Sequence, residues 1–229
     1  MLTASATMRL AVLVLLCSLC QGLVTAVSAR AQALPPGLTR EQVLQGLGHE
    51  DPDVRRGAYV ALGSLGQKRD LPLLYIALYD HDPLVRRFAE DSIWKLWSHS
   101  GNPAYDRMLQ QGVEQMQSGQ YAGAISSFSA LIKLAPEFTE AWNKRATVYF
   151  LVGENDRSIA DCKQVLKREP NHFGALAGFG QLMVRKHQYS QALHYFERAL
   201  TVNPNMPGVS ENIDAIKQAL GEAENEDAI

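Results

Sequence analysis

The chain has 229 residues, with 22 Lys and Arg against 24 Asp and Glu and a formal net charge of −2. No basic stripe interleaved with aromatics runs through it, which argues against a nucleic-acid partner, because affinity for a phosphate backbone needs several clustered Lys or Arg. Of the 3 cysteines, Cys17 and Cys20 fall in the amino-terminal segment and only Cys162 lies beyond it.

That segment carries Arg9 as its early charge, runs through the apolar block Leu10 to Leu19 and softens at Gln21 and Gly22, a signal-peptide layout. Ala31-Gln32-Ala33 places small residues where a signal peptidase reads, so residues 1–33 are expected to leave and the mature chain to start at Leu34; Val27-Ser28-Ala29 and Ala29-Arg30-Ala31 are weaker sites. The alternative, an uncleaved anchor, needs about 20 apolar residues, and this run is broken sooner. Export to a periplasmic or secreted location is the expectation, with no membrane insertion after cleavage. Removing Arg9 and Arg30 from the 22 basic residues leaves 20 against 24 acidic, about −4, and leaves Cys162 as a lone thiol.

Residues 34–100 carry a repeat offset by 31, in which Asp51-Pro52-Asp53-Val54-Arg55-Arg56 returns as Asp82-Pro83-Leu84-Val85-Arg86-Arg87. The apolar pattern follows it, Ala58 with Ala89, Leu62 with Ile93, Leu65 with Leu96 and Leu47 with Leu78. Each Asp-Pro starts a helix, the carboxylate accepting an orphan backbone N–H and Pro fitting the first turn. Val54, Ala58, Leu62 and Leu65 are predicted on one buried face. Helices are predicted near 40–47, opened by a capping box from Thr39 to Gln42, then over 52–65, 71–79 and 83–98. The pattern, with Ala61-Leu62-Gly63 closing a helix, resembles HEAT-type repeats. That resemblance implies that Arg55 and Arg86 brace neighbouring repeats, with Asp51 and Asp82 as acceptors.

Ser100-Gly101-Asn102-Pro103 stops one helix and starts another with no long linker, so the two repeat blocks are expected to abut. Trp94 and Trp97 sit just ahead of the junction and are predicted to plug the seam; a stacking platform for a ligand is the other reading.

The following residues, 101–220, repeat every 34 positions, with Gly112, Ala146 and Gly180 in register, as are Met108, Trp142 and Leu176, and Pro136, Pro170 and Pro204. A small residue in the first helix lets the second approach, aromatics fill the space and Pro ends the unit. Gly112, Gly119, Tyr121, Ala124, Phe128 and Pro136, then Trp142, Ala146, Tyr149, Gly153, Leu166 and Pro170, then Gly180, Tyr189, Ala192, Phe196, Ala199, Leu200 and Pro204 resemble tetratricopeptide repeats, spanning 105–138, 139–172 and 173–206. The fold class is thus an all-α solenoid of two HEAT-like pairs, three tetratricopeptide pairs and a capping helix at 208–220. Val209, Ile213, Ile216 and Leu220 form its apolar face, Gly221 is expected to end it, and 221–229 to be a disordered acidic tail. Asn155, Ser158 and Cys162 replace Tyr, Ala and Phe in the second unit, which is expected to be the softest. Ser92 to Gly101 with Ala141 to Gly180 also resembles a group of exported bacterial tetratricopeptide proteins with no assigned activity.

No catalytic or metal-binding constellation appears, so catalytic residues, metals and cofactors are all read as none. The six histidines lack the i, i+4 spacing of a helical metal pair, and His49 and His81 read as turn residues. Cys162 occupies a packing position, and Gly174, Gly178 and Gly180 lie in a helix with no preceding strand, which removes a dinucleotide loop.

The helical register assigns the inner surface to Leu109, Val113 and Met116, then Asn143, Thr147 and Phe150, then Ala177, Gln181 and Val184, with Gly174, Gly178, Lys144 and Arg185 alongside. The lining is semi-apolar. Gly174 and Gly178 read equally as room for a ligand backbone or for bulk such as Phe150. Some tetratricopeptide domains clamp a partner's terminal carboxylate with Lys, Arg and Asn; Leu109, Val113, Gly174, Gly178 and Lys144 depart from that pattern. The expected function is a non-enzymatic scaffold binding a peptide or partner helix, with Asn143 and Gln181 pairing to its backbone. Two alternatives stand beside it: a self-assembling envelope subunit forming a homo-oligomer, and a lyase-like enzyme or helper, since these HEAT-like units also resemble those of bilin-attaching lyases.

Overall fold

The structure, a computed structural model, describes residues 38–226, with side chains placed to Gly221. The leader and the expected start at Leu34 lie outside the described residues. Regular structure among the described residues is helical: α1 (Arg40–Gly46), α2 (Pro52–Leu65), a 3-10 turn (Lys68–Asp70), α3 (Leu71–Ala77), α4 (Pro83–Ser98), α5 (Pro103–Gln117), α6 (Tyr121–Leu134), α7 (Thr139–Leu151), α8 (Asn155–Arg168), α9 (Phe173–Arg185), α10 (Tyr189–Val202) and α11 (Pro207–Glu226). They fall into two compact units divided between Glu169 and Pro170.

In the first unit the helix starts follow from side-chain chemistry. Thr39 and Gln42 form the capping box, the Thr39 N–H donating to Gln42 Oε1 at 2.9 Å. Asp51 accepts from the Asp53 N–H, and Asp82 from those of Leu84 and Val85. Pro52 and Pro83 occupy the first turns.

Two expectations for this block fail. The buried face of α2 is Ala58, Tyr59, Ala61, Leu62 and Gly63, whereas Val54 and Leu65 are 39% and 54% exposed. A Cβ on Gly63 would collide with the Ser92 side chain, so α2 and α4 approach closely there, while Val54 and Leu65 stand in the first and last turns of α2. Arg55 does brace the next repeat, but its acceptor is Asp80, which takes Nε and Nη2 at 2.8 and 2.9 Å, while Nη1 donates to the carbonyls of His49 and Glu50. Asp82 is paired with Arg56, its Oδ1 taking Nε as well as the two cap N–H groups while Oδ2 faces Nη2. Arg86 donates to the carbonyls of its own turn, Asp80 and His81. Arg40 closes the set on Asp70.

The junction is tight. Asp106 accepts from the Ser100 N–H and hydroxyl at 2.7 and 2.6 Å and faces His99 at 2.8 Å, Gly101 turns the chain at φ 84, and Asn102 caps α5. Trp97 is buried beside it, packed edge-on against Trp94 at 5.0 Å, as the seam reading expects.

Within each tetratricopeptide hairpin the two helices meet at a pair 16 residues apart. Gly112 lies under the Phe128 ring and Gly180 under Phe196, and a Cβ on either glycine would penetrate the ring. The middle hairpin replaces both members, Ala146 facing the slot of Cys162. Methyl and small thiol exchange for hydrogen and phenyl, and Ser158 adds a hydroxyl bond to the Ala146 carbonyl at 2.8 Å. Both Ser158 and Cys162 are buried. The turns repeat as well: Gly119, Gly153 and His187 have φ of 75, 81 and 58 at the same register, closing each first helix with paired backbone bonds.

In the second unit, α9 and α10 form the third hairpin and α11 covers it with Val209, Ile213 and Ile216, while Leu220 is 37% exposed. Gly221 does not end α11, which continues to Glu226, so residues 222–226 are helical where a disordered tail was expected. The following Glu-Ala-Glu-Asn-Glu favours helix enough to offset one glycine.

Two outcomes follow from this packing. Gly180→Ala should cost about 1–3 kcal/mol through overpacking against Phe196, while Gly178→Ala, whose Cβ would meet nothing within 4 Å, should gain up to about 1 kcal/mol, both read by denaturant unfolding. The second concerns acid. Hydrogen bonding from Arg56 holds Asp82 down to about 2, and Arg40 and Arg55 likewise lower Asp70 and Asp80. These folded values lie below the unfolded value of about 3.9, so the stabilisation is present above that pH and is lost as pH falls from about 4 towards 2. Asp82→Asn, which keeps the cap, should lower the unfolding midpoint at neutral pH and flatten its fall in that window.

Candidate partner-binding surface

The inner positions of the first two tetratricopeptide hairpins lie on α5 and α7, which are neighbours in the first unit. Leu109 is 4% exposed and belongs to the core with Phe128, Leu131 and Ala141, so it is not part of an open lining. Its neighbours close over the side chain that the period had assigned to the inner surface. Val113 and Met116 are half-buried and pack on that core from its edge. Thr147 is half-buried, its hydroxyl donating to the Asn143 carbonyl at 3.1 Å, and Phe150 is half-buried.

Asn143 and Lys144 are engaged within the chain. Asn143 is buried and its amide donates to both oxygens of Glu140 at 3.2 Å, so that amide is not waiting for a ligand backbone. Lys144 lies 3.1 Å from Glu140 and places its ammonium 5.3 Å from the centre of the Trp94 ring. Glu140, fully buried, was missed in the sequence. Its carboxylate is met from three and four positions along the helix, by the Asn143 amide and the Lys144 ammonium, a spacing that could have flagged it.

In the second unit Ala177 and Val184 are buried, and Gly174, Gly178, Gln181 and Arg185 are half-buried on α9. A side chain at Gly178 would meet no atom within 4 Å, so room for neighbouring bulk does not explain that glycine. Desolvation lowers the Arg185 pKa from its ordinary value.

Behind the α7 surface stands a second feature that sequence reading passed over. Arg145 clasps Asp161 through Nε and Nη2 at 2.7 and 2.8 Å and reaches Ser129 of the preceding hairpin with Nη1 at 2.9 Å. Its guanidinium lies between the Trp142 and Tyr149 rings, with Arg168 over Trp142 and Arg157 over Tyr149. Cations and aromatics thus alternate along one side of α7 and α8, fixing the angle at which the inner helix is presented. The clue was a pair of opposite charges 16 residues apart, the same spacing as the glycine–phenylalanine contacts.

Nothing among the described residues assembles a metal site, no group of three or more His, Cys, Asp or Glu being placed to hold an ion. His49 accepts the Asp51 N–H through Nδ1, a turn role. No described helix is long and apolar enough to cross a membrane.

These stacked hairpins define an all-α helical-repeat protein of the solenoid class. Residues 23–94 match the family model for HEAT repeats and residues 109–173 that for the tetratricopeptide repeat. The chain thus carries HEAT repeats followed by tetratricopeptide repeats over those residues. It is 28% identical over 62% of its length to TPR repeat-containing protein RHE_CH03534.1 of Rhizobium etli, of which the match covers 69%. It is 23% identical over 54% to small glutamine-rich tetratricopeptide repeat-containing protein 2 of Mycosarcoma maydis, covering 35% of that protein. Among solved structures, the first TPR of Spaghetti (RPAP3) bound to HSP90 peptide SRMEEVD superposes with a TM-score of 0.50 at 20% identity, over 51% of this chain and 93% of that one. The Sgt2 TPR domain from Aspergillus fumigatus gives 0.51 at 19%, over 54% and 83%. Both show the shared fold.

Cys162 can be checked directly. Burial pushes its thiol up to about 12, with the Asp161 carboxylate adding to the shift, so a thiol reagent at pH 8, read by peptide mass, should leave Cys162 unmodified in native protein and label it fully in denaturant.

Proposed function

We propose that this chain is a non-catalytic scaffold that holds a peptide or partner helix against the inner faces of its tetratricopeptide hairpins. One observation carries the reading. Val113 and Met116 on α5 and Thr147 and Phe150 on α7 keep part of their surface open, on helices whose backbones are fixed by the Gly112–Phe128 contact and the Arg145–Asp161 clasp. A rigid semi-apolar face loses little freedom on binding, so buried anchors convert efficiently into affinity.

The fold shared with the domain bound to SRMEEVD supports a peptide as the class of ligand. The chemistry expected here differs from an acidic terminus. Leu109, Val113, Gly174 and Gly178 bring no charge to the inner register, and Lys144 is already committed to Glu140 and Trp94. The ligand is therefore an apolar stretch read by side chains rather than by its carboxylate. The leader-like layout of residues 1–33 supports placing this scaffold outside the cytoplasm.

Selection of displayed random peptides on the immobilised full chain tests the proposal. Enriched sequences should be rich in apolar anchors, should bind equally as acids and as terminal amides, and should lose at least about tenfold in affinity with Met116→Ala, Phe150→Ala, equivalent to about 1.4 kcal/mol. Enrichment of acidic termini, or affinity indifferent to both substitutions, would overturn it.

A further inference from the structure

The face of α4 that packs on the HEAT core is Val85, Ala89, Ile93 and Leu96. Trp94 follows Ile93 by one position and so points off that face, about 100° around the helix. It is half-buried, with its ring under the Lys144 ammonium, and Lys144 is anchored in turn by the buried Glu140. Positions 140, 143 and 144 belong to the inner register of the second tetratricopeptide hairpin, the surface assigned above to a partner. The HEAT pair touches the same hairpins elsewhere, Lys68 standing 5.9 Å from the centre of the Phe138 ring and the Tyr75 hydroxyl donating to Glu169 at 3.2 Å.

We infer that α4 is a built-in occupant of the inner surface, with Trp94 as its anchor, and that an external ligand competes with it. The inference rests on the reading of that surface as the partner site. It also names the ligand's chemistry more closely, as an amphipathic helix whose aromatic side chain takes the place of the Trp94 ring over Lys144. The negative face of an aromatic ring attracts a half-buried ammonium, and a charge balanced by Glu140 demands no second anion from the incoming chain. The chain between the blocks, Ser98 to Pro103, turns at Gly101 with φ 84 and is held by the bonds from Ser100 to Asp106, so full release of α4 requires that junction to loosen as well.

A fluorescent synthetic peptide of residues 82–99 supplies the probe, titrated into the full chain by anisotropy. With an internal competitor in place, wild type should bind it at least about tenfold more weakly than Trp94→Ala, and adding Lys144→Met to Trp94→Ala should abolish the gain. Equal binding by wild type and Trp94→Ala, or no binding by either, overturns the inference. Should Trp94→Ala not fold, Lys144→Met in the wild-type background takes its place. Amide exchange over 83–98 should then rise several-fold while 121–134 is unchanged, and unchanged exchange in both segments overturns it. A library-selected peptide that binds wild type and Trp94→Ala equally also removes the competition, yet leaves the scaffold reading intact. Loss of the scaffold reading would show separately, as selected peptides indifferent to Met116 and Phe150.

Discussion

The close approach of two helices over a side chain that is missing on one of them governs this architecture. Gly112 and Gly180 exist so that a phenyl ring can lie where a methyl group would be, and each hairpin's depth, angle and outward display of the inner helix follow from that contact. Interiors packed at crystal-like density do not tolerate a change on one side alone. The middle hairpin shows this rule in its exception: Ala146 carries the extra carbon and Cys162 gives up the ring, with the hydroxyl of Ser158 bridging to the opposite backbone. What looked in the sequence like a loss of bulk is a matched exchange.

A second slot shows how one framework accepts different chemistries. In the middle hairpin the inner and outer helices are joined by Arg145 and Asp161; 34 residues on, the equivalent positions are Phe179 and Tyr195, stacked at 4.2 Å and 23°. Charge-assisted bonds and ring stacking both restrain two helices, but the ionic version also extends to Ser129 and to a file of Arg and aromatic side chains. Burying such a pair gains little net stability over an apolar one. Its geometric effect is larger, because a bidentate clasp fixes orientation where a stack can slide.

Legibility followed the range of the interaction. Helix starts depend on neighbours within three residues, and Asp51, Asp82 and the Thr39–Gln42 box were readable one by one; the period placed the Gly–Phe pairs just as directly. Failures began where an outcome depended on an unlike neighbour. Arg55 pairs with Asp80 while Asp82, besides starting a helix, takes Arg56, a competition that spacing does not reveal. Leu65 was in the right pattern, but it is the last residue of α2 and stands 54% exposed. At the candidate surface the period assigned Leu109, Asn143 and Lys144 to the inner register, yet periodicity knows nothing of the core that closes over Leu109, of Glu140, or of a HEAT helix bringing a tryptophan to Lys144. Gly221 was read as a stop because glycine often is one, although its own backbone keeps helical geometry.

The bond from Arg145 to Ser129 makes the hairpins non-interchangeable. A repeat array is often treated as beads that can be duplicated or reordered, but here the middle bead carries a donor that only its predecessor answers, and a slot-filling pair unlike those on either side. Placing it behind a different hairpin would keep the clasp on Asp161 but leave Nη1 of the half-buried Arg145 without its Ser129 acceptor. Such a protein should therefore diversify by altering exposed side chains on fixed beads, and change its length at the ends of the array.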